Sequence, residues 1–214
     1  MFSEGVKFAV LLALGFAASA AAEEFELGGT IGYGVYRNGS VIAPGGTADA
    51  GIRNRFVAGA VIGEELYDYI SGEFRYLYHD GDPFVSAGGK QGNIQGQSHT
   101  FTYNGLFHLR PREQRLRPFF AAGIGGKWFH VTGPPPQTQP FPGIAALTRT
   151  DQSTVVVALG GGVKYDLSRR LRLRFDFLDY ISPFPSDIIV PANGATARGI
   201  LHQFTPSFGI SLRL

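Results

Sequence analysis

Ser207-Phe208-Gly209-Ile210-Ser211-Leu212-Arg213-Leu214 closes the chain. Its apolar residues fall on every second position up to the last, the period of a strand with one apolar face. Phe208, Ile210, Leu212 and Leu214 share that face; Ser207, Gly209, Ser211 and Arg213 share the other. At the opposite end, Lys7 precedes an apolar run over 8–16, and small residues follow over 17–22. Charged, apolar and then small is the order of a secretory signal peptide. The run is short for a spanning helix, which needs about 20 apolar residues. Ala18-Ser19-Ala20 and Ala20-Ala21-Ala22 both fit the cleavage pattern. Residues 1–22 are therefore expected to be a removed signal peptide, and residues 23–214 one domain.

Between the two ends, composition narrows the classes further. There is no cysteine, which excludes disulfides, thiolate metal sites and a lipid-modified N-terminal cysteine. A net charge of +2 on 214 residues gives no reason to expect nucleic acid. Thirty glycines and 13% aromatic residues disfavour helices and favour strands. No later stretch is long and apolar enough for a membrane helix. A membrane protein without such helices has to be a closed barrel, because each backbone polar group must be paired within the hydrocarbon.

Working back from the closing strand, eight alternating segments emerge: 25–37, 52–63, 70–78, 98–109, 118–131, 154–167, 171–177 and 200–214. The seventh is the clearest, with Leu171, Leu173, Phe175 and Phe177 against Arg172, Arg174 and Asp176. The fifth reads either way; if Lys127 points inward, then Phe120, Ile124 and Trp128 point out. Ionised residues gather on one face of the set: Glu26, Arg53, Arg55, Glu73, Arg75, Lys164, Arg172, Arg174, Asp176 and Arg213. The other face is almost free of charge. A soluble barrel turns its apolar face inward, whereas Arg or Lys on a lipid-facing surface costs about 2–4 kcal/mol at mid-depth. The pattern predicts an eight-stranded antiparallel up-and-down transmembrane β-barrel with the charges in its lumen. Eight strands leave room only for side chains, so Glu26, Arg53, Arg55, Glu73, Arg75, Lys164, Arg172, Arg174 and Asp176 are expected to form a packed ion-pair network. Tyr33, Tyr36, Tyr76, Tyr78, Trp128 and Tyr165 are candidates for aromatic girdles.

The connections alternate in length. Those over 38–51, 79–97, 132–153 and 182–199 are long and rich in Gly, Pro and polar residues. Those over 64–69, 110–117 and 168–170 are short. Membrane barrels of bacteria keep short turns on the periplasmic side and long loops outside, which predicts both termini in the periplasm. Arg110, Arg112, Arg115 and Arg117 cluster in one short turn. They read as a soluble turn, or as a contact for anionic headgroups of the inner leaflet.

The alternating segments, the glycine-rich fifth and sixth strands and the closing strand resemble the small eight-stranded OmpA/OmpX-type outer-membrane proteins over the whole mature chain. The family's assembly signal is a polar residue, any residue, Gly, two residues, then hydrophobic positions one apart. Ser207, Gly209, Leu212 and Leu214 stand at those places, with Leu214 where the family has Phe or Trp. The stretches Glu73-Phe74-Arg75-Tyr76, Gln97-Ser98-His99 and Asp179-Tyr180 before Pro183-Phe184 are similar to uncharacterised outer-membrane barrels of environmental bacteria. The resemblance implies an outer-membrane monomer in contact with outer-membrane lipids, inserted by the barrel-assembly machinery through its last strand. Its role would be structural or surface-presenting, with adhesion or envelope integrity served by the long loops; a narrow channel for ions or small solutes is the alternative.

Chemistry is weakly signalled. Gly29-Thr30-Ile31-Gly32-Tyr33-Gly34 is not a dinucleotide fingerprint, and Gly160-Gly161-Gly162-Val163-Lys164 lacks the phosphate-loop spacing. Both read as glycines relieving crowding in a coiled barrel. His79, Asp80 and Asp82 lack metal-ligand spacing. His130-Val131-Thr132 has the spacing that lipid A deacylases of this shape use, with Thr in place of Ser. A nucleophile needs a base held by a third group, and no such trio is visible in the sequence. His79-Asp80 imitates part of the Asp and His pattern of outer-membrane proteases, a class that needs a larger barrel with further acidic residues. No enzyme activity and no cofactor are therefore expected, with a lipid A-modifying or proteolytic barrel enzyme as the further alternative.

Overall fold

The computed structural model describes residues 25–214 apart from 138, 140 and 193. The proposed signal peptide lies outside the described residues. In chain order the strands begin with β1 (Phe25–Arg37), β2 (Gly39–Ala43), β3 (Gly46–Ile52), β4 (Arg55–Glu65) and β5 (Ile70–Asp80). Next come β6 (Pro83–Ala87), β7 (Lys90–Asn93), β8 (Gly96–His108), β9 (Leu116–Val131) and β10 (Ala145–Leu147). The last five are β11 (Gln152–Asp166), β12 (Leu171–Pro183), β13 (Ile189–Pro191), β14 (Thr196–Arg198) and β15 (Ile200–Arg213).

Eight of these, in the order β1-β15-β12-β11-β9-β8-β5-β4, form a closed barrel, every pair antiparallel. Closure is made by β1 against both β4 and β15, with Leu27 opposite Leu212 and Ile31 opposite Phe208. Every edge is thus paired, as a spanning sheet requires. The apolar face points outward: Phe120 and Ile124 are 64% and 62% exposed, and Ile31, Phe101, Val155, Phe175 and Phe208 are exposed as well. The ambiguous fifth strand resolves with Lys127 buried and Phe120, Ile124 and Trp128 outside.

The strand of a barrel bends where a side chain would collide with a neighbour. Gly125 lies against the Phe101 carbonyl, where any Cβ would clash. At Gly209 a Cβ would meet Thr30 Cγ2 at 2.7 Å and Arg174 Cγ at 2.8 Å. Pro206 stands in β15, and the β1–β15 register skips from Gly32↔Ser207 to Val35↔Phe204 around it. Proline has no N–H for the ladder.

The second segment begins later than the sequence predicts. Arg55 opens β4, whereas Ile52 ends β3 and is buried. The side chain of Asn38 accounts for the break: its Oδ1 accepts from Ile52 N (2.8 Å), and its Nδ2 donates to Ile52 O (3.1 Å). One residue pair further on, Asn54 Oδ1 accepts from Tyr36 N (2.7 Å). Ile52 is drawn off the barrel wall into the structure above it.

That structure is built from the long connections, which are folded rather than irregular. A five-stranded sheet of order β14-β2-β3-β6-β7 and a two-stranded sheet β10-β13 sit at one end of the barrel. The β6–β7 hairpin turns through Gly88 and Gly89, both at positive φ (55° and 76°), the requirement of a type I′ turn. Val41, Ala50, Ile52, Val85, Leu147, Ile188 and Ile189 pack with Phe129, Val131 and Leu201 from the barrel strands into one buried core. The cap and the rim of the barrel therefore share a hydrophobic core.

Candidate functional site: the filled lumen, its cap and its rims

Inward-facing residues alternate with the lipid-facing ones, so the lumen inherits every charge the exterior excludes. Glu26 on β1 accepts from Lys164 Nζ (2.7 Å), Arg172 Nη1 (2.9 Å) and Ser211 Oγ (2.7 Å). Arg172 also reaches Asp166 (2.5 Å) and Glu65 (3.1 Å). Arg174 lies 2.6 Å from Glu73 and 3.0 Å from Asp176. Arg75 joins the same two carboxylates at 2.7 and 3.0 Å. Arg117 closes the set on Glu65 at 2.7 Å. Five carboxylates (Glu26, Glu65, Glu73, Asp166 and Asp176) thus face five cations (Arg75, Arg117, Lys164, Arg172 and Arg174), all buried. Burying charges is tolerable only with such pairing.

The structure places two of the expected residues elsewhere. Arg55 sits at the capped rim, where it pairs with Asp80 (3.4 Å) and Asp82 (2.9 Å) and stays part-exposed. Arg53 lies in the break between β3 and β4 and is part-exposed. Both are displaced from the lumen by the Asn38 interruption, which ends the barrel strand at Arg55. Conversely, Glu65, Asp166 and Arg117 belong to the network although the first and last read as turn residues in the sequence. Tyr36 likewise leaves the girdle; it is buried, and its hydroxyl donates to Gln203 Oε1 (2.7 Å).

The rest of the lumen is filled differently. Val57, Leu77, Leu106, Phe119, Val156, Ala158, Leu178 and Tyr180 form an inward apolar cluster. Nearer the cap, Lys127 Nζ donates to Tyr36 Oη (2.7 Å) and Gln203 Oε1 (2.5 Å) and lies over the Tyr36 and Phe129 rings. Among the described residues no carboxylate pairs with it. His79, at the same level, turns into the lumen against Tyr36, away from Asp80 and Asp82, so the three do not converge as metal ligands.

Aromatic residues mark both ends of the apolar band. Tyr33, Trp128 and the Tyr76–His99 pair (Oη to Nδ1, 2.8 Å) lie toward the cap. Tyr67, Tyr69 and Tyr165 lie toward the short turns. Just above Trp128, His130 Nδ1 is 2.8 and 2.9 Å from the carboxylate oxygens of Asp151. The two line an open cavity of about 540 Å³ with Val131, Thr132 and Arg149. A third group for His130 therefore exists; it stands just before the neighbouring strand β11, 21 residues away in sequence.

The two rims differ in charge. At the capped end Arg37, Arg53, Arg55, Lys90, Arg149 and Arg198 are matched by Asp49, Asp80, Asp82, Asp151, Asp179 and Asp187. At the short-turn end Arg110, Arg112, Arg115, Arg169, Arg170 and Arg213 outnumber the carboxylates Glu64, Asp68, Glu113 and Asp166 and the C-terminal carboxylate, with Asp166 paired to Arg213.

No curated protein sequence matches the chain. Among solved structures, Neisserial surface protein A superposes with a TM-score of 0.53 at 9% identity, over 91% of this chain and 100% of that one. The outer membrane protein AlkL does so at 0.53 and 18%, over 92% and 94%. A major outer membrane protein from Thermus thermophilus follows at 0.52 and 14%, over 91% and 100%. These identities establish a shared fold alone. The family model of the outer membrane protein beta-barrel domain matches residues 8–197. It stops before β15, the strand that pairs with both β1 and β12 to close the barrel. With eight strands closed, charge held inside and lipid-facing apolar residues outside, the chain belongs to the outer membrane β-barrel protein family.

Proposed function

We propose that this protein is a closed, non-conducting outer-membrane barrel that holds a folded platform above the outer leaflet. The short turns and both termini face the periplasm, because all the long connections gather at the opposite end. The observation that carries this reading is the filling of the lumen. A charge-balanced network occupies one end, an apolar cluster lies beside and above it, and the cap core seals the other end. An ion entering would have to displace groups paired at 2.6–3.1 Å. The platform suits contact with a surface or envelope partner, through adhesion or envelope integrity. The last strand, through Ser207, Gly209, Leu212 and Leu214, acts as the signal read by the assembly machinery, and the barrel works as a monomer. Planar-bilayer recording of refolded protein is expected to give no discrete conductance. Reproducible steps would overturn the plugged reading in favour of a narrow solute channel.

One observation favours a second reading. His130, fixed by Asp151 beside Thr132 and Arg149, has the parts of an acyl-transfer site at the lipid edge. Thr132 Oγ would attack an ester carbonyl while His130 takes its proton and Asp151 holds the ring. As the ester C–O bond breaks, His130 returns that proton to the departing alcohol; a water deprotonated by His130 then attacks the Thr132 acyl ester, releasing the fatty acid and restoring the Thr132 hydroxyl. Loss of lipid A acyl chains on expression, abolished by His130→Ala and Asp151→Asn, is its test. An unchanged acylation pattern removes it.

A further inference from the structure

The arginine-rich rim at the short turns has no part in the plug, the cap or the closing strand. Arg112 is held by Asp68 (3.1 Å), and Arg213 by Asp166 (3.0 Å). Arg117, counted with this group in the sequence, turns inward to Glu65 and leaves it. Arg110, Arg115, Arg169 and Arg170 are exposed and meet no carboxylate among the described residues. They come from two turns that lie side by side, since β9 and β11 are barrel neighbours; Asp166 N donates to Arg115 O (2.8 Å) across them. Between the turns is a notch of about 300 Å³ lined by Arg112, Arg115, Arg169, Arg213 and Ser168 together with two carboxylates, Glu113 and Asp166; Asp166 is already engaged by Arg172 and Arg213, so the cations there outnumber the carboxylates.

The depth of these side chains follows from their neighbours. Leu109 precedes Arg110, Leu116 follows Arg115, and Leu167 precedes Ser168; all three leucines are exposed on the lipid face. The guanidinium groups therefore stand where the apolar band ends, at headgroup level. A guanidinium presents a planar fork of donors that matches phosphate oxygens. Its attraction to an anionic membrane surface is lost beyond a Debye length, so only a ligand at that depth gains from it.

We propose that this rim is a binding surface for the phosphate headgroup of an anionic phospholipid in the leaflet facing the short turns. The inference rests on the periplasmic placement of those turns, which makes the leaflet the inner one of the outer membrane. Two adjoining turns and their notch would hold one headgroup, with Arg115 and Arg169 from opposite walls and Arg110 and Arg170 flanking.

The test is native mass spectrometry of the full mature barrel released from bilayers containing phosphatidylglycerol and phosphatidylethanolamine in known ratio. Wild-type protein is expected to retain phosphatidylglycerol above that ratio, and retention is expected to fall with added salt. A single arginine near an anionic surface is worth roughly a five-fold change in binding, so R115Q/R169Q should remove most of the enrichment. R53Q/R198Q, at the capped rim, should leave it intact. Equal retention of both lipids by wild type, or an unchanged excess in R115Q/R169Q, overturns the proposal. If added inorganic phosphate abolishes the excess at constant ionic strength, the site is one for free phosphate and the lipid assignment is also overturned. Orientation is read separately. The chain has no cysteine, so Gln114→Cys supplies one thiol for a bulky membrane-impermeant maleimide on intact cells. Labelling there would refute the periplasmic placement while leaving the headgroup measurement standing.

Discussion

Replacing Arg174 by methionine tests the plug at a cation that, like Arg172, meets three carboxylates. The side chain is 0% exposed and joins Glu73 at 2.6 Å and Asp176 at 3.0 Å, with Glu26 at 3.4 Å. Methionine keeps much of the volume and removes the charge, so the network goes from five against five to five carboxylates over four cations. Glu73 and Asp176 retain Arg75, which limits the damage to one uncompensated charge. Breaking a buried pair from one side costs about 3–5 kcal/mol. By contrast, Arg213→Gln removes a part-exposed pair at the rim and should cost about 0–1 kcal/mol. The partner change Glu73→Gln, made in the R174M background, restores the balance of charge. It keeps a hydrogen-bond acceptor for Arg75, and should recover about half of the loss by the same reasoning. The assay is urea unfolding in lipid vesicles, followed by the fluorescence of Trp128. It is the one tryptophan of the chain and faces lipid on β9, away from the network. If R174M costs under about 1 kcal/mol, or E73Q worsens R174M instead of rescuing it, the lumen charges are not the coupled network described.

Ile124→Arg, at the middle of β9 and 62% exposed, places a charge in hydrocarbon and should cost about 2–4 kcal/mol in the same unfolding assay. A loss near zero would mean that this face is not lipid-facing. Gly125→Ala forces a Cβ into the Phe101 carbonyl, whereas at Gly126 the nearest neighbour of a Cβ is 4.0 Å away. The first should cost about 1–3 kcal/mol and lower the folded fraction on heat-modifiable gels, the second leave it unchanged; equal behaviour would contradict the close strand approach. Ile189→Ala removes a fully buried cap residue, worth about 2–5 kcal/mol. Protease added to proteoliposomes should then cut within the cap while the barrel fragment stays folded, and a cap as resistant as wild type counts against a cooperative core. Deleting Leu214, which donates its N–H to Phe25 O (2.8 Å), should slow insertion in cells more than it lowers equilibrium stability; matching effects would leave no separate signal.

The membrane strands were readable because the bilayer imposes their facing. A charge-free face recurs on every one of them, and the lipid penalty leaves few exceptions. Glu65 and Arg117 share that inward parity with Gly63 and Phe119, so continuing the alternation just beyond the segment ends reaches them, and Tyr36, already within 25–37, shares the inward parity of Gly34. What lay out of reach was partnership. Glu26 meets Arg172, 146 residues away, only because β1, β15 and β12 adopt one register out of several that would preserve the alternation. The His130–Asp151 pair is hidden for the same reason. The cap is harder still. Its strands run three to seven residues, too short for period-2 alternation to stand out among Gly and Pro. Its core forms only when segments from four connections meet.

The five-stranded sheet of the cap is joined to the barrel by short connections. Only Asn38 separates β1 from β2, and only Arg53 and Asn54 separate β3 from β4. Two residues likewise join β5 to β6, and two more join β7 to β8. The barrel strands thus continue into the cap with a bend, and the bends are pinned by side chains: Asn38 to Ile52, Asn54 to Tyr36, and Arg55 to Asp80 and Asp82. Phe129, Val131 and Leu201 belong to barrel strands and to the cap core at once. Opening the top of the lumen would therefore require unpacking this shared core, rather than swinging a loop aside. Insertions are expected to be tolerated instead at the hairpin tips, Pro44-Gly45 and Gly88-Gly89, where a Cβ at any of the three glycines would meet nothing within 4 Å. On the proposed reading, a surface fixed in this way would lose little conformational freedom on meeting a partner, the advantage of a pre-organised platform over disordered loops.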